Sequence, residues 1–173
     1  MKKALFLDRD GVINTDKGHV HLEKDFFFED GIFKLCRRAI SRGFKIIVIT
    51  NQAGIAKGFY QEACFNKLTY WMVNYFETER VKITKVYHCP HHENYTGKCS
   101  CRKPQPGMII RAQKDYNIDL KKSFFIGDKK TDMQAAENAG INNRVLYLQN
   151  KGSDNQFGHE TIIISKLNDL KLD

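Results

Sequence analysis

The sequence predicts an α/β fold, a Rossmann-like three-layer sandwich around a central parallel sheet. Three observations carry that prediction. Apolar runs of strand length recur at residues 3–7, 45–49, 84–88, 123–126, 145–148 and 161–164. Amphipathic helical stretches separate most of them, which makes βαβ units with parallel pairing and right-handed crossovers. The strongest runs stop abruptly at small polar or acidic residues. In an open α/β sheet, ligands bind beyond such carboxyl ends.

The first run, Lys3-Ala4-Leu5-Phe6-Leu7, reads as a buried parallel strand and ends in Asp8-Arg9-Asp10-Gly11. Two carboxylates one residue apart at the end of a core strand are costly unless a positive group neutralises them. A hard, oxygen-seeking cation such as magnesium suits that place. Residues 14–25 form a polar, histidine-bearing loop too long for a tight turn. The loop is expected to wall the site, with Asn14 and Lys17 as substrate contacts. Phe26-Phe27-Phe28 is expected to pack against the sheet.

A helix over 31–42 follows, with Ile32, Leu35, Cys36, Ala39 and Ile40 on one apolar stripe and Gly43 as its stop. The strand over 45–49 ends in Thr50-Asn51-Gln52, which brings Thr50 and Asn51 to the rim beside Asp8. The helix predicted over 60–79 places Cys64, Leu68, Trp71, Met72, Tyr75 and Phe76 on one face, so its aromatics read as core rather than as a base-stacking platform. A weaker strand over 84–88 leads into a loop over 89–104, and a helix over 108–116 follows. The strand over 123–126 ends in Gly127-Asp128, and a helix over 132–139 is closed by Gly140. Two short strands, 145–148 and 161–164, flank a polar segment over 150–160 that is expected to be mobile. A last short helix is expected from Ser165. No internal repeat or linker divides the chain, so 1–173 reads as a single domain. A helix and a strand fill most of the forty positions between Asp10 and Thr50, which leaves no room there for a large cap.

Composition narrows the class. With 42% hydrophobic and 28% charged residues, the 173-residue chain is an ordinary globular one. No apolar run approaches the ~20 residues needed to cross a bilayer. The amino-terminal run is broken by Asp8 well before the ~7–15 apolar residues of a secretory signal. A cytoplasmic protein with reduced thiols is therefore expected. The net charge of +8 favours acidic partners without choosing among them.

Asp8, Asp10, Thr50, Asn51, Lys103, Asp128 and Asp132 converge on one rim, and together they supply the parts of phosphoryl transfer. A metal held by Asp8 and Asp128, with the Lys103 ammonium, would cancel the repulsion between a carboxylate and a phosphate dianion. Asp8 could then attack phosphorus, and Asp10 could move the protons. Thr50 offers a hydroxyl to a phosphate oxygen. A second set is Cys89-x-His91, seven residues, then Cys99-x-Cys101. Three thiolates and an imidazole suit a closed tetrahedral zinc site, expected to be structural. Cys36 reads as core, where a free thiol behaves as a small hydrophobe.

These residues resemble the haloacid-dehalogenase superfamily of aspartate-nucleophile phosphatases, and within it the D-glycero-D-manno-heptose 1,7-bisphosphate 7-phosphatases. The resemblance spans nearly the whole chain. It rests on Phe6-Leu7-Asp8-Arg9-Asp10-Gly11, the stretch from Thr50-Asn51-Gln52 to Lys57-Gly58, Cys89-Pro90-His91-His92, the stretch from Cys101-Arg102-Lys103-Pro104 to Met108, and Gly127-Asp128-Lys129. It implies Asp8 as nucleophile, Asp10 as acid/base, Thr50 and Lys103 as phosphate binders, and Arg102 as a contact to the distal part of the substrate. It implies magnesium held by Asp8, the Asp10 main-chain carbonyl and Asp128, with Asp132 as a partner of Lys103. It also favours His91 over His92 as the zinc ligand. His19 stands where the family commonly has an aromatic residue. The expected substrate is a small sugar phosphate rather than nucleic acid or a membrane, and the expected state is a monomer. A histidinol-phosphate phosphatase and a polynucleotide 3′-phosphatase are the rival readings. Arg102 and Pro106-Gly107-Met108 favour the heptose branch. A non-catalytic zinc module would not need the acid pair.

Overall fold

The computed structural model describes residues 1–148 and 161–172. Six strands, β1 (Lys3–Leu7), β2 (Phe44–Asn51), β3 (Ile83–Cys89), β4 (Phe124–Gly127), β5 (Asn143–Tyr147) and β6 (Thr161–Ile164), pair in the order β3-β2-β1-β4-β5-β6. Every neighbouring pair is parallel. The chain builds outward from β1 in both directions, through β2 to β3 and through β4 to β6. The topological switch point therefore falls between β1 and β4, where such folds bind ligands.

Alternation along the central strand divides the core into two layers. Leu5 and Leu7 face one side with Val48 and Ile126, under α1 (Ile32–Ser41) and α2 (Glu62–Thr78). Ala4 and Phe6 face the other with Ile47, Ile49 and Phe125. That side is closed by α4 (Gly107–Tyr116) and α5 (Lys130–Ala139). A single turn, α3 (Glu93–Thr96), lies within the cysteine-bearing loop. Among the described residues, no segment folds into a separate cap over the carboxyl ends of the strands. No helix among them is long and apolar enough to cross a membrane.

Several expectations are corrected. The buried stripe of α2 is Phe65, Leu68, Met72 and Phe76, and Cys64 is exposed. Successive helical residues are turned by about 100°, so with Phe65 inward Cys64 cannot share its face. Tyr75 is 40% exposed and stacks on Phe28 rather than entering the core. Ile40 also lies outside the buried stripe of α1. Phe28 packs on Trp71, Phe76 and Phe33, while Phe27 is half exposed. The tail forms only a 3-10 turn over Leu167–Asp169. It is held against α1 by Arg38, which donates to the carbonyls of Asn168 (3.1 Å) and Leu170 (2.5 Å). The mobility expected of 150–160 concerns a segment outside the described residues.

Candidate active site and thiol cluster

Asp8 follows β1 and Asp128 follows β4, so they flank the switch point. Thr50 and Asn51 end β2, and Lys103 comes from the loop between β3 and α4. A cavity of about 270 Å³ opens over Asp8, Asn51 and Lys103, while Asp128 lines a neighbouring hollow with Gly11 and Asp16. Asp8, Asp10, Asn51, Arg102, Lys103 and Asp132 line the cavity, together with Gln52, Lys57 and Tyr60 from the segment after β2, Asp16 and His19 from the 14–25 loop, and Lys129.

Lys103 organises the floor. Its ammonium is buried and lies 2.8 Å from Asp8 Oδ1 and 2.6 Å from Asp132 Oδ1, and it donates to the Ile49 carbonyl at 3.0 Å. Asn51 grips the main chain of the same residue. Its Nδ2 donates to the Lys103 carbonyl (3.1 Å) and its Oδ1 accepts from the Lys103 amide (3.0 Å). Burial alone would lower the Lys103 pKa, but Asp132 and Asp8 outweigh it and hold it above its ordinary value. Burial pushes Asp8 the other way, to about 8, with Asp132 and Asp128 adding to the rise and Lys103 opposing it. Asp128 is raised to about 6, again chiefly by burial.

Ligand atoms of Asp8, Asp128 and Asp132 lie within 4.8 Å of one another. Both oxygens of Asp132 are engaged, one by Lys103 and the other by the Lys129 amide at the start of α5 (3.0 Å). Asp128 differs, because its Oδ1 is buried with no hydrogen-bond partner among the described residues. An acceptor-only group left without a donor, beside a second carboxylate of raised pKa, fits a hard divalent cation. Gly11 clears the space. It has φ +92°, and a Cβ there would sit 2.3 Å from Asp128 Oδ2.

Asp10 faces a different network. Arg9 Nη2 lies 2.9 Å from both of its oxygens, Asn14 Nδ2 donates to Oδ1 and Gln52 Nε2 to Oδ2, each at 3.0 Å. Arg9 is 1% exposed and also donates to the Val20 carbonyl in the 14–25 loop (2.6 Å).

Asn14 and Lys17, expected as substrate contacts, do not line the cavity. Asn14 is fully buried with its amide committed to Asp10 and the Thr15 carbonyl. The Lys17 ammonium lies 3.9 Å over the Phe27 ring. Thr50 is buried beneath the floor, where its Oγ1 accepts from Gln52 Nε2 at 2.8 Å. Sequence reasoning passed over Arg9, Gln52, Tyr60 and the Lys129–Asp16 ion pair (2.7 Å) that closes one wall. Arg9, Gln52 and Lys129 stand inside the motifs quoted above, which assign them no role of their own. Nothing in composition or periodicity marks Tyr60.

In the cysteine loop, Cys101 Sγ lies 2.9 Å from Cys89 Sγ, 3.4 Å from Cys99 Sγ and 3.3 Å from His91 Nδ1. His92 is turned elsewhere, its Nδ1 accepting from the Asn94 amide at the start of α3. Burial would raise the Cys99 thiol, but the Arg102 amide and the neighbouring thiols outweigh it and hold it at about 7. Four converging donors, three sulfurs and an imidazole nitrogen, fit a structural zinc ion. Arg102 follows directly and donates from Nη1 to the His91 carbonyl (3.2 Å).

A family model described as HAD-hydrolase-like matches residues 100–170. The chain is 49% identical over 149 residues to the D-glycero-alpha-D-manno-heptose-1,7-bisphosphate 7-phosphatase of Campylobacter jejuni, covering 86% of this chain and 84% of that protein. It is 41% identical to the D-glycero-beta-D-manno-heptose-1,7-bisphosphate 7-phosphatase of Vibrio cholerae, covering 98% and 94%. Among solved structures it resembles a D,D-heptose 1,7-bisphosphate phosphatase from B. bronchiseptica, complexed with magnesium and phosphate. The TM-score is 0.83 at 26% identity, covering 95% and 93% of the two chains.

Proposed function

The chain belongs to the family of D-glycero-D-manno-heptose-1,7-bisphosphate 7-phosphatases, and from that premise we propose that it hydrolyses the 7-phosphate of such a bisphosphate through an aspartyl-phosphate on Asp8. The observation that carries the reading is the floor of the cavity. A nucleophile carboxylate stands 2.8 Å from a buried ammonium and beside an unpartnered Asp128 oxygen.

Asp8 attacks phosphorus as the bond to the sugar oxygen breaks, and Asp10 gives that oxygen its proton. Asp10 then takes a proton from the water that attacks the aspartyl-phosphate, which frees inorganic phosphate and restores Asp8. Lys103 holds charge developing on the phosphoryl oxygens, in a site where burial strengthens the interaction. Thr50 donates its hydroxyl proton, unused in the bond from Gln52, to a phosphate oxygen. Asn51 acts by fixing Lys103, and Arg102 faces the distal part of the substrate. Magnesium held by Asp8, the Asp10 carbonyl and Asp128 would supply the charge that lets two anions meet. Cys89, His91, Cys99 and Cys101 would hold a structural zinc that shapes the loop delivering Arg102 and Lys103. The whole chain is taken as one catalytic domain, a cytoplasmic monomer acting on small sugar phosphates; thiol ligation of zinc suits a reducing compartment.

The decisive assay compares both anomers of the heptose bisphosphate with histidinol phosphate, with and without magnesium. Preference for a heptose bisphosphate, lost without magnesium, is expected. Preference for histidinol phosphate would overturn the substrate assignment.

A further inference from the structure

Asp10 carries the protons in the mechanism above, yet it makes none of the contacts that order the nucleophile. Its oxygens are held from Arg9, Asn14 and Gln52, and the last of these is itself held from outside. Tyr60 Oη donates to Gln52 Oε1 at 2.5 Å, while Gln52 Nε2 donates to Asp10 Oδ2 and Thr50 Oγ1. A carboxylate only accepts hydrogen bonds, so the amino end of the amide must face Asp10. The phenol then meets the carbonyl end, and the amide is pinned from both sides. Both Gln52 and Tyr60 are buried. Burial pushes Tyr60 up to about 12, so it remains a donor at any ordinary pH.

The ring of Tyr60 is fixed in turn. His21 of the 14–25 loop stacks on it, with centroids 4.8 Å apart and planes 8° apart. The backbone of Gly54 passes so close that a Cβ there would lie 2.2 Å from Tyr60 Cε1.

We propose that Tyr60, acting through Gln52, is a positioning residue for the acid/base carboxylate of Asp10. The inference rests on the mechanism above. In the first step the proton leaves Asp10 for the sugar oxygen as the phosphorus–oxygen ester bond breaks. The electron pair of that bond stays on the sugar oxygen, and Asp10 is left as the carboxylate that the Gln52 amide meets. An ester whose alkoxide cannot leave unprotonated depends on that geometry. An ester of a good leaving group does not.

The test is kcat/KM, which reports the steps through departure of the leaving group, on a heptose bisphosphate and on p-nitrophenyl phosphate. Tyr60→Phe and Gln52→Leu should each lose about tenfold more on the sugar ester than on the aryl ester. The double variant should be within about twofold of Gln52→Leu, because Tyr60 acts only through the amide. Equal losses on the two esters, or losses that multiply in the double variant, would overturn the relay. If Tyr60→Phe does not fold, the ester comparison for Gln52→Leu decides alone. A wild-type protein inactive on both esters overturns the mechanism and the relay together. An active wild type with unselective variants overturns the relay alone.

Discussion

The nucleophile corner and the thiol loop are both clusters of ligating groups, but they are held in shape by different means. The corner is assembled by β4, which is buried throughout, and β1, which is buried from Ala4 on, and Lys103 stands between Asp8 and Asp132. Its side chains are ordered by protein alone, and what remains short is positive charge, as the orphaned Asp128 oxygen indicates. The loop over 90–106 has only the single turn of α3 and few buried apolar residues. Its sulfurs converge, with Cys89 buried in the core and Cys99 and Cys101 packed partly buried against it. The corner is thus ordered but short of positive charge, whereas the loop carries four ligating groups on a stretch with little secondary structure. Removing metal should disable the first without unfolding it and loosen the second.

The sharpest break of this comparison is in the corner. Asp8→Asn keeps the shape and the bond to Lys103 but removes the nucleophile proposed above, and kcat/KM on the heptose bisphosphate should fall about 10⁴-fold or more. Normal turnover in that variant would refute the covalent mechanism. Lys103→Met should come next. It leaves Asp8 and Asp132 buried without their shared partner, a loss of about 3–5 kcal/mol in denaturant unfolding, with activity lost as well. Because the cause is uncompensated charge, adding Asp132→Asn to Lys103→Met should recover part of that stability. A double variant less stable than Lys103→Met would show that Lys103 contributes mainly by packing.

The loop should respond more mildly and differently. Cys99→Ser, or zinc chelation, should raise KM about tenfold through misplaced Arg102 and make residues 90–106 sensitive to protease, with the unfolding transition of the sheet little moved. Unchanged KM in zinc-free protein would separate the loop from substrate binding.

The sequence made the frame legible because each central strand is an apolar run with a polar stop. Asp8, Thr50 and Asp128 reach one edge by strand order alone. The thiol cluster was legible for a different reason, since few arrangements other than a metal site bring three cysteines and a histidine into one short reduced loop. What stayed hidden depends on where side chains point. A polar loop does not reveal that Asn14 turns inward to Asp10 while Lys17 lies on Phe27. One residue of helical phase decides Cys64 against Phe65. The link from Tyr60 to Asp10 crosses a turn and joins three segments through single hydrogen bonds, which leaves no periodic trace.

The smallest effect concerns protons, and it sharpens the view of the corner as ordered but short of charge. In the metal-free protein Asp8 titrates near 8 and Asp128 near 6, both raised by burial, so at pH 7 Asp8 is mostly protonated. A folded pKa above the unfolded one means that the folded state binds the proton more tightly. The stability these groups contribute to the metal-free protein is therefore fully present below their ordinary value of 3.8 and is lost as pH rises through about 6 and then about 8. Magnesium requires the ionised carboxylates, so its binding must have the opposite slope. Affinity should rise between pH 6 and 8, by about tenfold per unit at most for one released proton, and level off above 8. Calorimetry in buffers of different ionisation enthalpy should count close to one proton released at pH 7 and none at pH 9. A proton count of zero at pH 7 would mean that Lys103 already keeps Asp8 ionised, and that the corner lacks less charge than its burial implies.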